Sequence, residues 1–331
     1  MTQKNTIKLD KKDYAILSAL DTNSRQPLNA IAKLVRLGKD AVAYRIENLK
    51  KEGVIEQFHT LIDVGKLGLH SFRLYLKLRN TTPEQEESII EFLKRQQAVT
   101  WLVTIDGEYD IGMWIVVRSV KEMNTFWKEL LEQYGQFIEE RNLTTFTKVS
   151  YFPKTYLSGK KQNTEEYVFI TEPEIPTIDD KDREILKFIA PNARIPLIEL
   201  AHKTHLTPKT VAVRLRELEK KGSIVGYRTK FDLEKLGYEY FKLHINLNNP
   251  TRDNKKKIRA HIKQHPNIIY DNEVLGGDDV EIEIQTRTIQ ELRNIMNDIR
   301  KRFSNTIKTM KHMTFTKEHK YVFYPVIDLA H

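Results

Sequence analysis

Basic and polar side chains recur at helical spacing in two segments of the sequence, residues 39–52 and 208–221. Each segment also carries apolar residues that would share one buried helix face: Val42, Ile46 and Leu49 in the first, and Val211, Leu215 and Leu218 in the second. The remaining side chains would then point outwards. Lysine and arginine contact phosphate, and side chains near a helix N-terminus can reach base edges in the major groove of DNA. The spacing therefore predicts two DNA-contacting helix faces.

The side chains on these faces divide into two kinds of predicted contact. Flanking basic residues would contact mainly phosphate. The better candidates for base edges are Ala41, Tyr44, Lys209, Thr210 and Val213. The candidate set is Lys39, Asp40, Ala41, Tyr44 and Arg45 in the first segment, and Lys209, Thr210, Val213, Arg214 and Arg216 in the second. Three alternatives stay open: solvated charged faces without a partner, an intramolecular ion pair for Arg45 and Arg214, and packing of Tyr44 on the wing that follows.

The two segments differ in charge. Residues 39–52 carry four basic and three acidic side chains, whereas residues 208–221 carry five and two, which gives net charges of +1 and +3. Asp40 suits the positive end of a helix dipole but would face phosphate or base acceptors. Because phosphate attraction dominates non-specific affinity for DNA, the second segment is predicted to bind more strongly.

Both segments belong to a larger duplication. Shifting the sequence by 169 positions aligns its two halves without a gap, so that Arg25 coincides with Arg194 and, much later, Gly107 coincides with Gly276. Chance does not hold a single offset over such a distance. We therefore predict two tandem units of about 150 residues each, a common domain size.

Each unit is predicted to have an α+β fold in two parts. Residues 9–53 show three helical runs with a short break before the last, which is typical of a helix-turn-helix. Residues 54–65 alternate and then turn, which predicts a hairpin as the wing. The order of elements over residues 70–152, repeated over 238–323, is that of the ferredoxin-like βαββαβ plan.

These patterns divide the chain into five segments. They are winged helix-turn-helix domains at 1–66 and 178–235, ferredoxin-like domains at 67–157 and 236–331, and a linker at 158–177. The linker is rich in Lys, Gln, Asn, Thr, Glu and Pro. Residues 166–170 within it fit a short edge strand equally well.

The composition narrows the class of protein further. The chain has 54 basic and 45 acidic residues, and its net charge of +9 favours polyanionic partners without selecting one. It has no cysteine, which excludes disulfides, thiolate metal sites and cysteine nucleophiles and is compatible with a reducing cytosol. No run approaches ~18 apolar residues, and residues 1–20 lack an apolar core. Neither a membrane span nor a signal peptide is predicted, and the expected location is cytoplasmic.

Residue patterns that indicate catalysis are weak in this sequence. His261 and His265 are spaced so that they could bind a metal from one helix face, but no third ligand is evident, and solvated histidines are the simpler interpretation. No phosphate-binding glycine-rich loop, nucleophile elbow or metalloprotease motif occurs. The sequence therefore predicts no catalytic residue, no metal, no cofactor and no enzyme.

The repeated residues resemble the pattern of the Lrp/AsnC (leucine-responsive / asparagine regulator) family of bacterial and archaeal transcription regulators. In unit 1 the pattern is Leu9-Asp10, Asp13, Ile16-Leu17, Arg25, Arg45, Leu49, Gly53, Ile55, Asp63 and Leu67-Gly68. In unit 2 it is Ile178-Asp179, Asp182, Ile185-Leu186, Arg194, Arg214, Leu218, Gly222, Ile224, Asp232 and Leu236-Gly237. The resemblance covers both units and is specific as a set.

This resemblance implies a sequence-specific regulator of transcription that binds double-stranded DNA. It also implies a small-molecule pocket between paired effector domains, in the family often occupied by an amino acid, near Gly-x-x-Asp turns. Those turns supply Gly107, Tyr109 and Asp110 in unit 1 and Gly276, Asp278 and Asp279 in unit 2, with purely structural turns as the alternative. The family's usual chain has one unit and dimerises, so two units in one chain imply a covalent pseudo-dimer, with further homo-oligomers left open.

Two other functions remain open at this point. Siroheme decarboxylases resemble the family and also occur as two related units, but they carry a His- and Arg-containing stretch around the second and third strands of the effector domain. The matching residues here, 99–117 and 267–285, contain neither amino acid. The other function is a metabolite sensor that does not bind DNA, which would change its oligomeric state with ligand.

Overall fold

A computed structural model of the protein describes residues 7–159, 166–169, 172–322 and 324. Unit 1 (residues 1–157) contains α1 (Lys11–Thr22), α2 (Leu28–Val35), α3 (Lys39–Lys51), β1 (Ile55–Ile62), β2 (His70–Leu78), α4 (Pro83–Arg95), β3 (Val99–Asp106), β4 (Ile111–Val117), α5 (Val120–Tyr134) and β5 (Ile138–Tyr151). A short strand, β6 (Tyr167–Phe169), follows. Unit 2 (residues 178–331) contains α6 (Asp180–Ile189), α7 (Leu197–Thr204), α8 (Pro208–Lys220), β7 (Ile224–Phe231), β8 (Glu239–Leu247), α9 (Arg252–Ile262), β9 (Ile268–Leu275), β10 (Val280–Thr286), α10 (Ile289–Arg302) and β11 (Ile307–Tyr321).

The first helix of each unit begins at a repeated pair of aspartates. The side chain of Asp10 accepts hydrogen bonds from the backbone N–H groups of Lys12 and Asp13, and that of Asp13 accepts one from the N–H of Asp10. Asp179 and Asp182 form the same capping box at α6. Such caps satisfy the free N–H groups of the first turn and stabilise a helix by about 1 kcal/mol. The capping role explains why these aspartates recur in both units.

The strand after each helix-turn-helix differs from the sequence prediction. The predicted wing hairpin within each unit is wrong, because β1 pairs antiparallel with β7 of the other unit, from Ile55 opposite Phe231 to Ile62 opposite Ile224. The two strands form a separate two-stranded ribbon. A hairpin and a long-range strand pair satisfy the same backbone groups, so the alternation of residues 54–61 does not distinguish them. The two helix-turn-helix domains are therefore joined through one shared ribbon.

The ferredoxin-like parts of the two units close into one ring of eight strands. The strand order is β2-β4-β3-β11-β8-β10-β9-β5, and β5 pairs back onto β2. Each unit contributes a four-stranded βαββαβ sheet, as the sequence predicts. The last strands are long enough to serve both units: β5 pairs with β2 over residues 138–145 and with β9 over residues 145–151, and β11 does the same between β8 and β3. We call this ring the barrel.

Alternating side chains divide the barrel into an outer and an inner layer. Outward apolar residues of unit 1 pack beneath α4 and α5, and those of unit 2 pack beneath α9 and α10. Inward residues of unit 1 include Trp101 and Trp114, whereas unit 2 turns Lys242 and Glu283 inwards, and all four are buried. The two halves of the barrel therefore share a backbone plan but differ in the polarity of their inner faces.

The segment between the units is partly built into the sheet. Residues 167–169 of β6 pair with residues 149–151 of β5, and Phe169 is buried. The strand alternative for this part of the linker is thus confirmed for 167–169, while residue 170 lies outside the described residues. In the part of the chain that the structure describes, no helix is both long and apolar enough to span a bilayer.

Candidate nucleic-acid interface and sensor turns

The outward face of α3 is exposed as its sequence predicts. Val42, Ile46 and Leu49 are buried against the rest of the domain. The opposite side presents four of the candidate contact residues to solvent: Lys39, Asp40, Ala41 and Tyr44. Tyr44 is 68% exposed, so its ring does not pack on neighbouring strands. This face is accessible to a duplex.

The face of α8 is also exposed and begins at a well-formed cap. The hydroxyl of Thr207 accepts a hydrogen bond from the backbone N–H of Thr210, and the two hydroxyls lie 2.8 Å apart. Lys209, Val213 and Arg216 are exposed, whereas Thr210 is half-buried. The threonine hydroxyl pair therefore orients the first turn, and the lysine and arginine extend from it.

The two faces carry opposite charges at equivalent positions. With the offset of 169, Lys209 of α8 corresponds to Asp40 of α3, and Arg216 corresponds to Glu47. All four side chains are exposed. Phosphate would meet two cations on α8 where it meets two carboxylates on α3. Both faces are thus exposed, and their charges at these two positions are opposite.

Arg45 and Arg214 form the intramolecular ion pairs that the sequence left open as the alternative to a DNA contact. Nη1 of Arg45 lies 2.8 Å from Oδ2 of Asp10 and 2.6 Å from Oδ1 of Asp13. Nη1 of Arg214 lies 2.9 Å from Asp179 and 2.8 Å from Asp182. Each arginine therefore ties the helix with the predicted DNA-contacting face, α3 or α8 (the recognition helices), to the capping box of the first helix of its unit. Sequence spacing could not show this, because the partners lie more than 30 residues away.

We predict that Arg45 acts on stability rather than on DNA recognition. A double-mutant cycle with Arg45→Ala and Asp13→Ala should give a coupling energy of about 0.5–1 kcal/mol, because the pair is only partly exposed. Thermal unfolding of the two single variants and the double variant measures it. Tyr44→Ala is the matched control and should leave stability unchanged. Zero coupling together with a tenfold loss of DNA affinity by folded Arg45→Ala would contradict this assignment.

Reciprocal hydrogen bonds lock the two helix-turn-helix domains together. Arg25 donates from Nη1 to the carbonyls of Ala193 and Ile195, and Arg194 donates from Nη1 to those of Ser24 and Gln26. The backbone adds a second reciprocal pair, because the N–H of Ser24 donates to the carbonyl of Tyr227 and that of Ala193 to Phe58. The repeated arginines therefore fix each domain against the other.

Two threonine hydroxyls of the shared ribbon form a further reciprocal pair of hydrogen bonds between the units. Thr60 of β1 donates to the carbonyl of Ile189 at 2.7 Å, and Thr229 of β7 donates to that of Leu20 at 3.0 Å. Both threonines are buried. Since each one holds the first helix of the opposite unit, the ribbon and the two domains form one body with a pseudo-two-fold arrangement.

The aspartates of the Gly-x-x-Asp turns have structural partners. Oδ2 of Asp110 accepts a hydrogen bond from the backbone N–H of Leu78 at 2.7 Å, and its Oδ1 accepts one from Lys77 at 2.9 Å. Asp279 is held in the same way by the N–H of Leu247 and by Lys255, both at 2.9 Å. The purely structural alternative therefore accounts for these two carboxylates.

The turns themselves lie against the other unit. Gly107 and Gly276 have φ of +152° and +89°, in the region that favours glycine. A Cβ on Gly107 would come within 3.1 Å of Met313 in β11, so the turn is closely packed there. Tyr109 stacks on Tyr75, with ring centroids 5.2 Å apart. Among the six predicted effector residues, Tyr109 is thus buried, Asp110 and Asp279 have structural partners, and the two glycines are exposed.

Asp278 belongs to a buried polar cluster that the sequence patterns did not indicate. Its Oδ2 lies 2.7 Å from Nδ1 of His244, and one ligand atom from each of His244, Asp278 and Glu281 falls within 4.8 Å of the others. Nζ of Lys242 stands 3.1 Å from Glu281 and supplies a positive charge there. The alternation of Lys242 with His244 along β8, and of Glu281 with Glu283 along β10, was the available signal.

The two histidines considered as metal ligands have other roles. Nε2 of His261 lies 2.7 Å from Asp298, and Nδ1 of His265 accepts a hydrogen bond from the N–H of Asn267 at 3.3 Å. Neither is fully solvated, because His261 packs on Phe303, and burial lowers the pKa of His265. Their structural partners explain their positions without a metal.

Comparison with known proteins identifies the same domains. A family model described as winged helix-turn-helix DNA-binding matches residues 9–56 and again residues 178–225. The proline dehydrogenase transcriptional activator of Rhodobacter capsulatus is 33% identical over 122 residues, which is 37% of this chain and 79% of that protein. The HTH-type transcriptional regulator AldR of Mycolicibacterium smegmatis is 30% identical over 120 residues, 36% of this chain and 70% of that protein.

A solved structure shares the two-unit arrangement. The siroheme decarboxylase NirDL superposes with a TM-score of 0.63 and covers 96% of this chain, with 94% of its own chain matched. Sequence identity is 12%, so the likeness concerns the fold alone.

Two winged helix-turn-helix domains on a duplicated α+β scaffold define a DNA-binding transcriptional regulator. The chain belongs to the Lrp/AsnC family, and it carries two family units in tandem.

Proposed function

We propose that one chain binds one duplex as a covalent pseudo-dimer, with α3 and α8 in successive major grooves. The observation that carries this proposal is the reciprocal exchange of Arg25 and Arg194 between the domains, which fixes two exposed recognition helices on a single body. Dimers of this class contact half-sites about 10 bp apart, or a multiple of that distance. Because the two faces differ in sequence, the half-sites need not be palindromic.

Each domain has a separate role in this proposal. Residues 1–66 and 178–235 bind DNA, residues 67–157 and 236–331 form a ligand-responsive body, and residues 158–177 connect the units. The exposed residues of α3 and α8 contact DNA, while Arg45 and Arg214 hold the helices in place. A small molecule such as an amino acid is the proposed effector class. We place the protein in the cytoplasm, where a bacterial or archaeal regulator meets its DNA.

Selection from random DNA, followed by fluorescence anisotropy at several salt concentrations, tests the proposal. We expect enrichment of one asymmetric site. Its association constant should fall steeply with salt, by about 10³-fold or more between 50 and 200 mM if six or more phosphates are contacted. Scrambled duplex of equal length is the control. Absence of any salt-sensitive binding would contradict the proposal and favour a sensor that does not bind DNA.

The fold of NirDL makes a siroheme-decarboxylase-like enzyme the second candidate, and we propose that the chain is not one. Residues 99–117 and 267–285 lack His and Arg. The cavity inside the barrel measures about 80 Å³, whereas benzene alone fits a cavity of about 150 Å³ and a tetrapyrrole is several times larger. Adding iron-uroporphyrin to the purified chain should leave the visible absorbance of the tetrapyrrole unchanged. A saturable spectral shift would support the enzyme.

A further inference from the structure

A cavity of about 80 Å³ lies between the interior of the barrel and β7. Its wall is mostly aromatic and comes from both units, with Trp101, Trp114 and Phe146 from unit 1 and Tyr270 from unit 2. Thr229, Lys230 and Phe231 of β7 close the side that faces the helix-turn-helix domains. The cavity therefore adjoins the ribbon that joins the two recognition helices.

Arg73 supplies an incompletely paired cation to this cavity. The residue is 6% exposed, and its Nε has no hydrogen-bond partner among the described residues. Its Nη1 donates to the hydroxyl of Tyr75 at 2.8 Å, and its Nη2 reaches Glu283 only at 3.5 Å. A buried guanidinium with a free N–H costs free energy unless an acceptor reaches it. Nε and Nη2 together have the geometry that binds a carboxylate with two hydrogen bonds.

The other charged residues of the lining balance one another, so Arg73 decides the preference for an anion. Beside Arg73, the lining has two basic side chains, Lys154 and Lys230, and two acidic ones, Glu283 and Glu318. Lys154 is already paired with Asp21 at 3.0 Å. Burial raises the pKa of Glu318 above its ordinary value, although Lys230 and the indole N–H of Trp101 act in the opposite direction. Proton uptake by Glu318 would make the lining more positive still.

The duplication shows that this site belongs to one side of the barrel only. By the offset of 169, Trp114 corresponds to Glu283 and Arg73 to Lys242. Lys242 lies 3.1 Å from Glu281 and 3.5 Å from Glu283, so its ammonium is already compensated by carboxylates. Nζ of Lys242 also lacks a hydrogen-bond partner among the described residues, but two carboxylates compensate its charge and Lys242 does not line the cavity.

We propose that this cavity binds a compact monocarboxylate, with the carboxylate on Nε and Nη2 of Arg73 and a short apolar group against Trp101 and Phe146. Arg73 already stacks on both rings, each centroid lying 5.0 Å from its Cζ. A volume about half of that needed for benzene admits a ligand of about three to five non-hydrogen atoms. This inference rests on the proposed ligand-responsive regulator and moves its effector site from the turns to the barrel.

The position of the cavity connects the ligand to the DNA-binding domains. Nζ of Lys230 lies 3.0 Å from Glu56 of β1 and 3.5 Å from Glu318 of β11, so it joins the ribbon to the cavity wall. Thr229 on the same strand holds the end of α1. A carboxylate that attracts Lys230 or displaces the neighbouring wall would shift β7, and with it the spacing of α3 and α8.

Calorimetric titration of the full chain with sodium acetate, sodium propionate and glycine tests the inference, with sodium chloride and n-propylamine as controls. We expect saturable binding of the carboxylates with a dissociation constant between about 0.05 and 10 mM, since ligands this small rarely bind more tightly. Chloride and propylamine should give none. Equal binding of propylamine, or no saturation by any carboxylate, would overturn the proposal.

Matched variants locate the site. Arg73→Met should weaken acetate binding by about 10- to 100-fold, the contribution of a charge-assisted hydrogen bond. Lys77→Met removes a cation two positions beyond Tyr75 on the same strand, where it contacts Asp110 of the turn, and should leave the affinity unchanged. Because Arg73→Met could unfold the chain, Val149→Leu provides a second test by narrowing the cavity while keeping Arg73. Full affinity in both cavity variants, or loss only in Lys77→Met, would overturn the assignment.

The DNA measurement separates this inference from the proposed function. Saturating acetate should change the affinity of the wild-type chain for its selected duplex at least threefold and should not change that of Arg73→Met. DNA binding that is intact but indifferent to acetate would overturn the regulatory role of the cavity and leave the proposed function standing. A chain that binds acetate but no duplex would instead contradict the proposed function.

Discussion

Replacing Asp21 by alanine is expected to lower the free energy of unfolding by about 3–5 kcal/mol, the usual cost of removing one partner of a buried ion pair. Asp21 lies at the end of α1 and is 1% exposed. Its carboxylate accepts hydrogen bonds from the hydroxyl of Tyr151 and the backbone N–H of Lys154, both at 2.7 Å, and from the Lys154 ammonium at 3.0 Å. The variant would leave this ammonium buried without a counter-charge, close to the guanidinium of Arg228. Chemical unfolding followed by circular dichroism measures the effect.

The effect of this substitution should depend on pH. Burial by itself would raise the pKa of Asp21, but Lys154 and Arg228 outweigh it, and the pKa lies below its ordinary value. Such a carboxyl stabilises the folded chain above the unfolded pKa of about 4, and that stabilisation is lost as pH falls through the folded value. The stability difference between the wild type and Asp21→Ala should therefore be constant near neutral pH and shrink in acid.

A matched control distinguishes the buried cluster of Asp21, Tyr151 and Lys154 from a carboxylate on the surface. Asp180, on the first turn of α6, is fully exposed, and Asp180→Ala should change the free energy of unfolding by about 0.5 kcal/mol or less. A cost below about 1 kcal/mol for Asp21→Ala at neutral pH would contradict a role for the cluster in holding α1 to the barrel.

Removing the two cations of the α8 face should cause the largest loss of DNA affinity. Lys209→Ala with Arg216→Ala is expected to weaken binding about 10- to 100-fold near physiological salt and to reduce the salt slope by about two, one for each phosphate that is no longer neutralised. Both side chains are exposed, so the substitutions should leave stability within about 0.5 kcal/mol of the wild type. Fluorescence anisotropy on the selected duplex measures the affinity and its salt dependence.

The equivalent positions of unit 1 provide the matched comparison. Asp40→Ala with Glu47→Ala removes two exposed carboxylates from the α3 face and should strengthen binding. Arg300→Ala with Lys301→Ala on α10, beside the barrel, is the control for a general loss of positive charge and should have a smaller effect. If the unit 1 substitutions abolish DNA binding and the α8 substitutions do not, the prediction that unit 2 binds DNA more strongly than unit 1 is wrong.

Local periodicity is sufficient to predict the elements of this fold. The apolar spacing of Val42, Ile46 and Leu49 predicts which side of α3 is exposed, and the structure places those residues in the core. The same holds for the βαββαβ order of both units, because each helix and strand is specified by neighbours within a few residues. The offset of 169 predicts that Arg25 and Arg194 share a role, but not which role.

Contacts between distant residues could not be predicted in this way. Strands β1 and β7 lie more than 160 residues apart, and alternation shows that a strand exists without naming its partner. The type and position of Arg45 on α3 fit a phosphate contact. In the fold, its guanidinium forms ion pairs with Asp10 and Asp13, which lie more than 30 residues away in the sequence. The counterpart of Asp21 in unit 2 is Ala190, so the repeat gives no signal for the buried cluster.

Hydroxyl-radical footprinting of the full chain on its selected duplex, at a stoichiometry of one chain per duplex, measures whether both recognition helices contact the same DNA. We expect two protected patches of unlike sequence on one face, centred about 10 bp or a multiple of that distance apart. Lys209→Ala with Arg216→Ala should weaken one patch selectively. A single protected patch, or a second patch that appears only when two chains bind, would contradict the pseudo-dimer.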